Sequence, residues 1–400
     1  MRSFVAKFWV GFCLLLTLGI ASADDKKPAA KNTKTQPAPV APKAGVKTPG
    51  VQIPFATLKA EAEIPIETPG LAMSSGSILV PNRSKDVILK IDARSNKPGD
   101  PISDVKQPCS GLVNAFGSLW VPSCGSGSVV RIDAKIFAPP PRGPARGMAA
   151  EAPKEPAKEA STEPAKPEPA KPEPAKPEPV KPEPPKPPVV LSFGVADMAN
   201  GIAATADSVW LFTDAKSTLS RIDPASNTVV DTLRLPANCN AMAFGEASLW
   251  VACPAEARIL RVNPLTNLVE KRIEVSAGAR SFAFGAGSVW VLCDREGKIE
   301  RIDPKTNKVI KTIETNVPNA GGEIAFGEGF LWVTQTGFPL TRIDVTTEKE
   351  KIVQQFWGEG GGRIAAAPGA IWLSNTGSSN TKTASLWRID PKRVYATLAE

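Results

Sequence analysis

The sequence predicts an all-β fold, a seven-bladed β-propeller built of four-stranded antiparallel blades. Three observations predict it. A unit of about 40 residues recurs along the chain, each unit divides into short apolar runs punctuated by Gly, Ser, Asn and Pro, and a tryptophan position can be aligned seven times. That position reads Leu79, Trp120, Trp210, Trp250, Trp290, Trp332 and Trp372, at spacings of 41, 90, 40, 40, 42 and 40. The 90 is one 40-residue unit with a 50-residue insertion. A period near 40 with several strands per unit is the mark of a radial β architecture, in which each unit buries its faces against its neighbours.

Residues 283–314, A-F-G-A-G-S-V-W-V-L-C-D-R-E-G-K-I-E-R-I-D-P-K-T-N-K-V-I-K-T-I-E, show the unit most plainly. Apolar runs of 4 to 6 residues between turn residues read as strands. In D-P-K-T-N, Asp303 is placed to accept backbone hydrogen bonds, Pro304 presets φ and Asn307 tolerates a left-handed backbone, so a turn joins the third strand to the fourth. Asp223-Pro224 with Asn227, Asn263-Pro264 with Asn267, and Asp390-Pro391 repeat this chemistry. Apolar residues lie on both faces of the third strand: Ile299 with Ile302, Leu219 with Ile222, Val129 with Ile132. A sheet buried on both faces fits a blade held between two others.

The run K-I-E-R-I-D-P-K-T-N-K-V-I-K-T-I resembles the YVTN-type propeller repeat, and S-L-W-V followed by R-I-D-P resembles the streptogramin (virginiamycin B) lyase-like propeller superfamily. The resemblance covers nearly all of the chain outside signal, leader and insertion. It implies a seven-bladed propeller. The activity of the lyases it implies would use channel histidines, and this chain has no histidine. A histidine general base, shuttle or metal ligand is therefore excluded.

In chain order, residues 1–23 read as a secretory signal: Arg2 and Lys7, an apolar core, then Ala21-Ser22-Ala23. The core is too short for the ~20 residues that span a bilayer, so no transmembrane span is expected after cleavage. Residues 24–57, rich in Pro, Ala and Lys, read as a disordered leader. The propeller is expected over 58–400. Two segments compete to close the last blade, 60–66 and 394–398. Pro65 suits an edge strand, which favours N-terminal closure. Residues 135–188 interrupt the second unit at its D-P-x-x-N turn, and their repeated A-K-P-E-P predicts a disordered, extended polyproline II arm, a solvated loop or a spacer touching the cell wall.

Of the formal charge of +8, the signal, leader and insertion carry +2, +4 and +2, which leaves the propeller about neutral. No nucleic-acid partner is expected, because a binding face would concentrate Lys and Arg on the folded part. Beyond Cys13 there are five cysteines. Cys109 and Cys239 each precede their tryptophan by 11 residues, while Cys124 and Cys253 follow theirs by 4 and 3. Hairpins turning near residues 116 and 246 would bring each pair together, so an exported chain predicts disulfides Cys109–Cys124 and Cys239–Cys253. Cys293 is left over, since its partner position is Ala279.

The start of each innermost strand and the end of each second strand open on one face. By register the channel mouth there is ringed by Asn82, Arg83, Asn200, Asp214, Asn240, Arg280, Asp294, Arg295, Glu323, Gln335, Arg363 and Asn375. These are the candidate ligand-binding residues. No cofactor and no catalytic residue is expected; if an ion is held, Asp214, Asp294 and Glu323 offer oxygen ligands suited to Ca²⁺ or Mg²⁺. The in-phase tryptophans read as packing between blades, and Trp357 and Trp387 as packing also. Arg131, Arg221, Arg261, Arg301, Arg342 and Arg388 recur in phase and read as partners of turn carboxylates. The functional expectation is a monomeric periplasmic or secreted recognition or scaffold protein, without enzymatic activity, that binds an envelope protein, a peptide or a small anionic ligand. The alternative is a divalent-metal-assisted lyase or lactonase-like hydrolase using the channel carboxylates.

Overall fold

Strand pairing follows the punctuation of the sequence. The computed structural model describes residues 42–137 and 186–397, apart from positions 68, 69, 75, 104, 110, 193, 197, 199, 215, 347–349 and 376–383. The expected signal, the first part of the leader and most of the insertion lie outside the described residues. Seven sheets form seven blades, each running from an innermost strand outward in chain order except for the outermost strands of blades six and seven, which come from the N-terminal side of blade one. Blade five is typical: Ala279–Gly285, Ser288–Cys293, Lys298–Asp303 and Lys308–Glu314 pair antiparallel in sequence.

Seven hydrophobic clusters hold the ring, and each straddles two neighbouring blades. Successive side chains on a strand point to opposite faces. Val289 and Val291 therefore join the cluster toward blade four, while Trp290 and Leu292 join the one toward blade six. All six in-phase tryptophans are fully buried against the following blade. The ring closes where Trp372 and Leu386 of blade seven share a cluster with Ile78 and Ile91 of blade one.

A second repeated device clamps one face. Arg261 donates from Nε to Ser248 Oγ at 2.8 Å, lies over the Trp250 ring at 5.3 Å, and reaches blade five, where Nη1 donates to Asn307 Oδ1 at 2.8 Å and Pro304 O at 2.6 Å. Arg131 does the same over Trp120 toward Asn227 and Pro224 of blade three. Asn227, Asn267 and Asn307 all have φ near +60° (59°, 59° and 57°), as the turn chemistry predicts. The expectation of carboxylate partners holds for Arg221 with Asp207, Arg301 with Glu350 and Arg388 with Glu61. For Arg131 it is corrected, the partners being an amide and a carbonyl of the next blade's turn; Arg261 binds the equivalent pair and also lies 3.9 Å from the Glu270 carboxylate. Between the third and outermost strands the register also shifts at this arginine in blades three to six.

The leader departs from expectation. Residues 42–57 are folded, not disordered. Strand β1 (Gln52–Pro54) adds to blade six as a fifth strand, parallel to Lys351–Trp357, with Gln52 opposite Gln355. Phe55 follows it into the core between blades six and seven and stacks on Trp387 at 4.9 Å. Only one short apolar run, V-Q-I-P-F, marks this segment among Pro, Ala and Lys, and composition hid it. Strand β2 (Ala62–Ile66) then pairs antiparallel with Ala384–Ile389 and closes blade seven as its edge strand. The competing C-terminal segment is instead a helix, α1 (Pro391–Ala396), capped by Asp390.

Blade one has three strands, and residues 98–102 supply only isolated pairs to it, Ile91 with Pro98 and Ile88 with Ile102. Pro98 and Pro101 lack the N–H that a full fourth strand would donate. Both predicted disulfides are formed, Cys109–Cys124 and Cys239–Cys253, and Cys293 is a buried free thiol. Among the described residues no helix is long and apolar enough to cross a membrane.

Candidate functional site

Antiparallel order sends alternate connections to opposite faces. The D-P-x-x-N turns and their arginines lie on one face. The connections after each second strand, and those leading into each new innermost strand, lie on the other. That second face carries the mouth of the central channel.

The channel is a cavity of about 250 Å³ lined by the innermost strands of all seven blades, from Leu71 and Leu112 round to Ile324 and Ile364. Its wall is mixed, with apolar side chains beside Asn200, Ser281, Glu323 and Arg363. One polar network spans it: Arg363 of blade seven pairs with Glu323 of blade six and donates to Asn200 Oδ1 of blade three at 3.0 Å. Asn200 Nδ2 in turn faces Glu323 Oε1 at 3.5 Å and Arg280 O at 3.4 Å. Glu323 and Arg363 are each 13% exposed, and the second carboxylate oxygen of Glu323 accepts from Ile364 N at 3.4 Å. A half-dry ion pair with its remaining valences bonded is a rigid element, since breaking one partner would strand the other's charge. The network crosses the channel and narrows it.

Asn200 also belongs to a second cavity. A cleft of about 470 Å³ lies over blades three to five, lined by Asn200, Asn240, Arg280, Asp294, Arg295 and Asn319, with apolar wall from Met198 and Pro254. The turn after Cys293 places Asp294 and Arg295 there, and Asp294 accepts from Arg280 Nη1 at 3.1 Å. Gly278, at φ +86°, lets this turn approach: a Cβ on it would meet Arg295 N at 2.5 Å. Among the described residues no aromatic side chain lines the cleft.

Of the twelve residues expected at the mouth, seven line these two cavities: Asn200, Asn240, Arg280, Asp294, Arg295, Glu323 and Arg363. The other five are elsewhere. Asn82 is 2% exposed and holds its own turn, accepting from Lys85 N at 3.1 Å and donating to Glu67 at 3.0 Å. Arg83 is exposed in that turn. Gln335 is fully buried and donates to Val317 O at 2.8 Å. Asn375 is 9% exposed at the end of Ala370–Asn375. Asp214 folds back on the turn it begins, where the Thr218 backbone N–H, foremost, holds its carboxyl below the usual range.

The three acids expected as a metal set do not assemble one. Asp214 accepts from Lys216 N, Thr218 N and Thr218 Oγ1; Asp294 pairs with Arg280; Glu323 pairs with Arg363. Among the described residues no three Asp, Glu, Cys or His side chains are grouped to hold an ion. Each acid has a nearer cation or amide. Asn319 was missed because it lies in the connection between blades, outside any strand register. The signal for it was the 42-residue spacing between Trp290 and Trp332, two residues longer than its neighbours.

No protein-family model matches this chain, and no curated protein sequence does. Solved structures do. BamB from Moraxella catarrhalis is similar at a TM-score of 0.50 and 9% identity, over 80% of this chain and 84% of that one. A chain of the Mitotic Checkpoint Complex is similar at 0.57 and 10% identity, over 94% and 99%. At such identities the likeness shows the fold alone.

Proposed function

We propose that the protein is an exported recognition propeller that binds an envelope protein or peptide on its channel-mouth face and carries out no chemistry there. The observation that carries this reading is the contrast between the two faces. On one face, arginine, serine, tryptophan and turn asparagine repeat from blade to blade and bond one another. On the other, the same repeat position reads Asn200, Asn240 and Arg280, and its side chains converge on a cleft. Parts that recur across most blades serve the ring; differing parts at one place serve recognition.

Supporting observations agree. Glu323 and Asp294 are paired with arginines, which leaves neither of them poised as a general base. Two disulfides and the signal-like residues 1–23 fit an oxidising compartment. The resemblance to lyase-like propellers rests on repeat residues that build the ring, so it speaks for architecture.

Affinity capture from envelope extracts tests this. The variant Arg280→Glu/Arg295→Glu is expected to lose the captured partner, while Lys311→Glu, on an outermost strand, retains it. Equal capture by both variants would move the interface off this face.

A further inference from the structure

The cleft is chemically narrower than a general binding face. The side chains of Arg295, Asn240 and Asn319 make no hydrogen bond or ion pair among the described residues, although all three line the same 470 Å³ cavity. Arg280, beside them, is already paired with Asp294. One guanidinium, with five donors in a planar fork, is therefore left for an incoming acceptor. The Asn240 and Asn319 amides in the same cavity offer both a donor and an acceptor, which is the pattern a peptide bond presents in reverse.

Charge limits the ligand further. Asp294 and Glu323 are each balanced by an arginine, so Arg295 is, among the described residues, the one uncompensated charge lining the cleft and a second anionic group would find no cation left to pair with. A polyanion is disfavoured. A neutral sugar is disfavoured as well, since no aromatic ring among the described residues lines the cleft for stacking. Met198 and Pro254 give the cleft an apolar flank.

We propose that the cleft binds a peptide through a single carboxylate, with Arg295 taking the carboxylate as a bidentate pair and Asn240 and Asn319 pairing with the flanking amides. This deepens the recognition reading above and rests on it. The carboxylate has two sources, a free peptide C-terminus or one internal Asp or Glu side chain.

The test uses the full chain and three pools of immobilised pentapeptides: neutral sequences with amidated ends, the same sequences with free C-termini, and the amidated sequences carrying one Glu or Asp. Binding to one carboxylate pool above the neutral pool is expected, and which pool responds names the source. Arg295→Ala should weaken that binding about 10- to 100-fold, the range for losing a charge-assisted hydrogen bond. Arg295→Lys should recover only part, because it keeps the charge and loses the fork. Arg272→Ala, on an outermost strand, is the control. The proposal is overturned if the three pools bind alike, if none binds, or if Arg295→Ala binds as the parent does. Should the double charge reversal still abolish envelope capture in that case, the recognition face stands and only the carboxylate falls.

Discussion

Gln354 and Gln355 are consecutive on the Lys351–Trp357 strand of blade six, and each holds one end of the folded chain. Gln355 accepts from Val46 N at 2.8 Å and donates to Thr315 O at 3.1 Å, which anchors the N-terminal strap. Gln354, pointing to the opposite face, donates to Val394 O at 2.5 Å and to Thr397 Oγ1, which anchors helix α1. Both are fully buried. A propeller whose ring is closed by β2 thus gains a second fastening one blade earlier.

Removing Gln355 should release the strap. Gln355→Ala leaves the Val46 N–H and Thr315 carbonyl without partners, at a cost of about 1–3 kcal/mol per stranded group. Limited proteolysis should then cut within residues 42–58 while the ring stays folded. Resistance equal to the parent's would show that β1 is held by its strand pairing and Phe55 alone.

Ala279 faces Cys293 across blade five in the position Cys239 takes in blade four. Ala279→Cys should therefore create a third disulfide, found by peptide mapping without reductant. A loop of this length gains about 3 kcal/mol by chain entropy. In the parent, burial and the nearby Glu300 push the Cys293 thiol up. It should react with thiol reagents only on unfolding, and rapid labelling of the native protein would contradict its burial.

The turn aspartates make stability acid-sensitive. The Lys305 backbone N–H, foremost, holds the Asp303 carboxyl below 3.8, and Asp223 is held likewise by Ala225 N–H. Their contribution is complete above 3.8 and is lost as pH falls through the lower folded values. Blade four carries Asn263 at this position, and its amide oxygen accepts from Leu265 N at 2.9 Å without titrating. Asp223→Asn/Asp303→Asn should keep stability at pH 7 and flatten its fall below 3.8 in urea titrations. An unchanged pH profile would assign acid sensitivity to other groups.

Asp133 accepts from Lys135 N at 2.9 Å and from Lys186 N at 3.0 Å, so one carboxylate joins both roots of the insertion. Replacing residues 138–185 by a short Gly-Ser turn should leave the melting temperature within about 2 °C, because closing entropy changes slowly with loop length. A larger fall would mean that the arm contributes to the ring.

Chelation followed by Ca²⁺ or Mg²⁺ should leave the melting curve in place. An ion bound only by the native state would raise the midpoint as RT ln(1 + [L]/Kd). A shift that disappears in Asp294→Ala or Glu323→Ala would restore the metal-assisted hydrolase reading.

The sequence by itself determined what repeats. Seven tryptophan positions, the Asp-Pro-x-x-Asn turns and two cysteine spacings specify blades, hairpins and disulfides, because each depends on residues within one unit of about 40. Tertiary structure decided what crosses units. The network of Asn200, Glu323 and Arg363 joins residues separated by 123 and 163 positions, and Gln355 meets Val46 across 309. Ring closure sets those distances, and no local period encodes which side chains then meet. The same holds for the mouth: register put twelve residues on one face, but whether each turns into the cleft or back onto its own turn depends on the nearest unpaired partner after closure. Asp214 and Asn82 found theirs at home, and Arg295 was left facing the cleft.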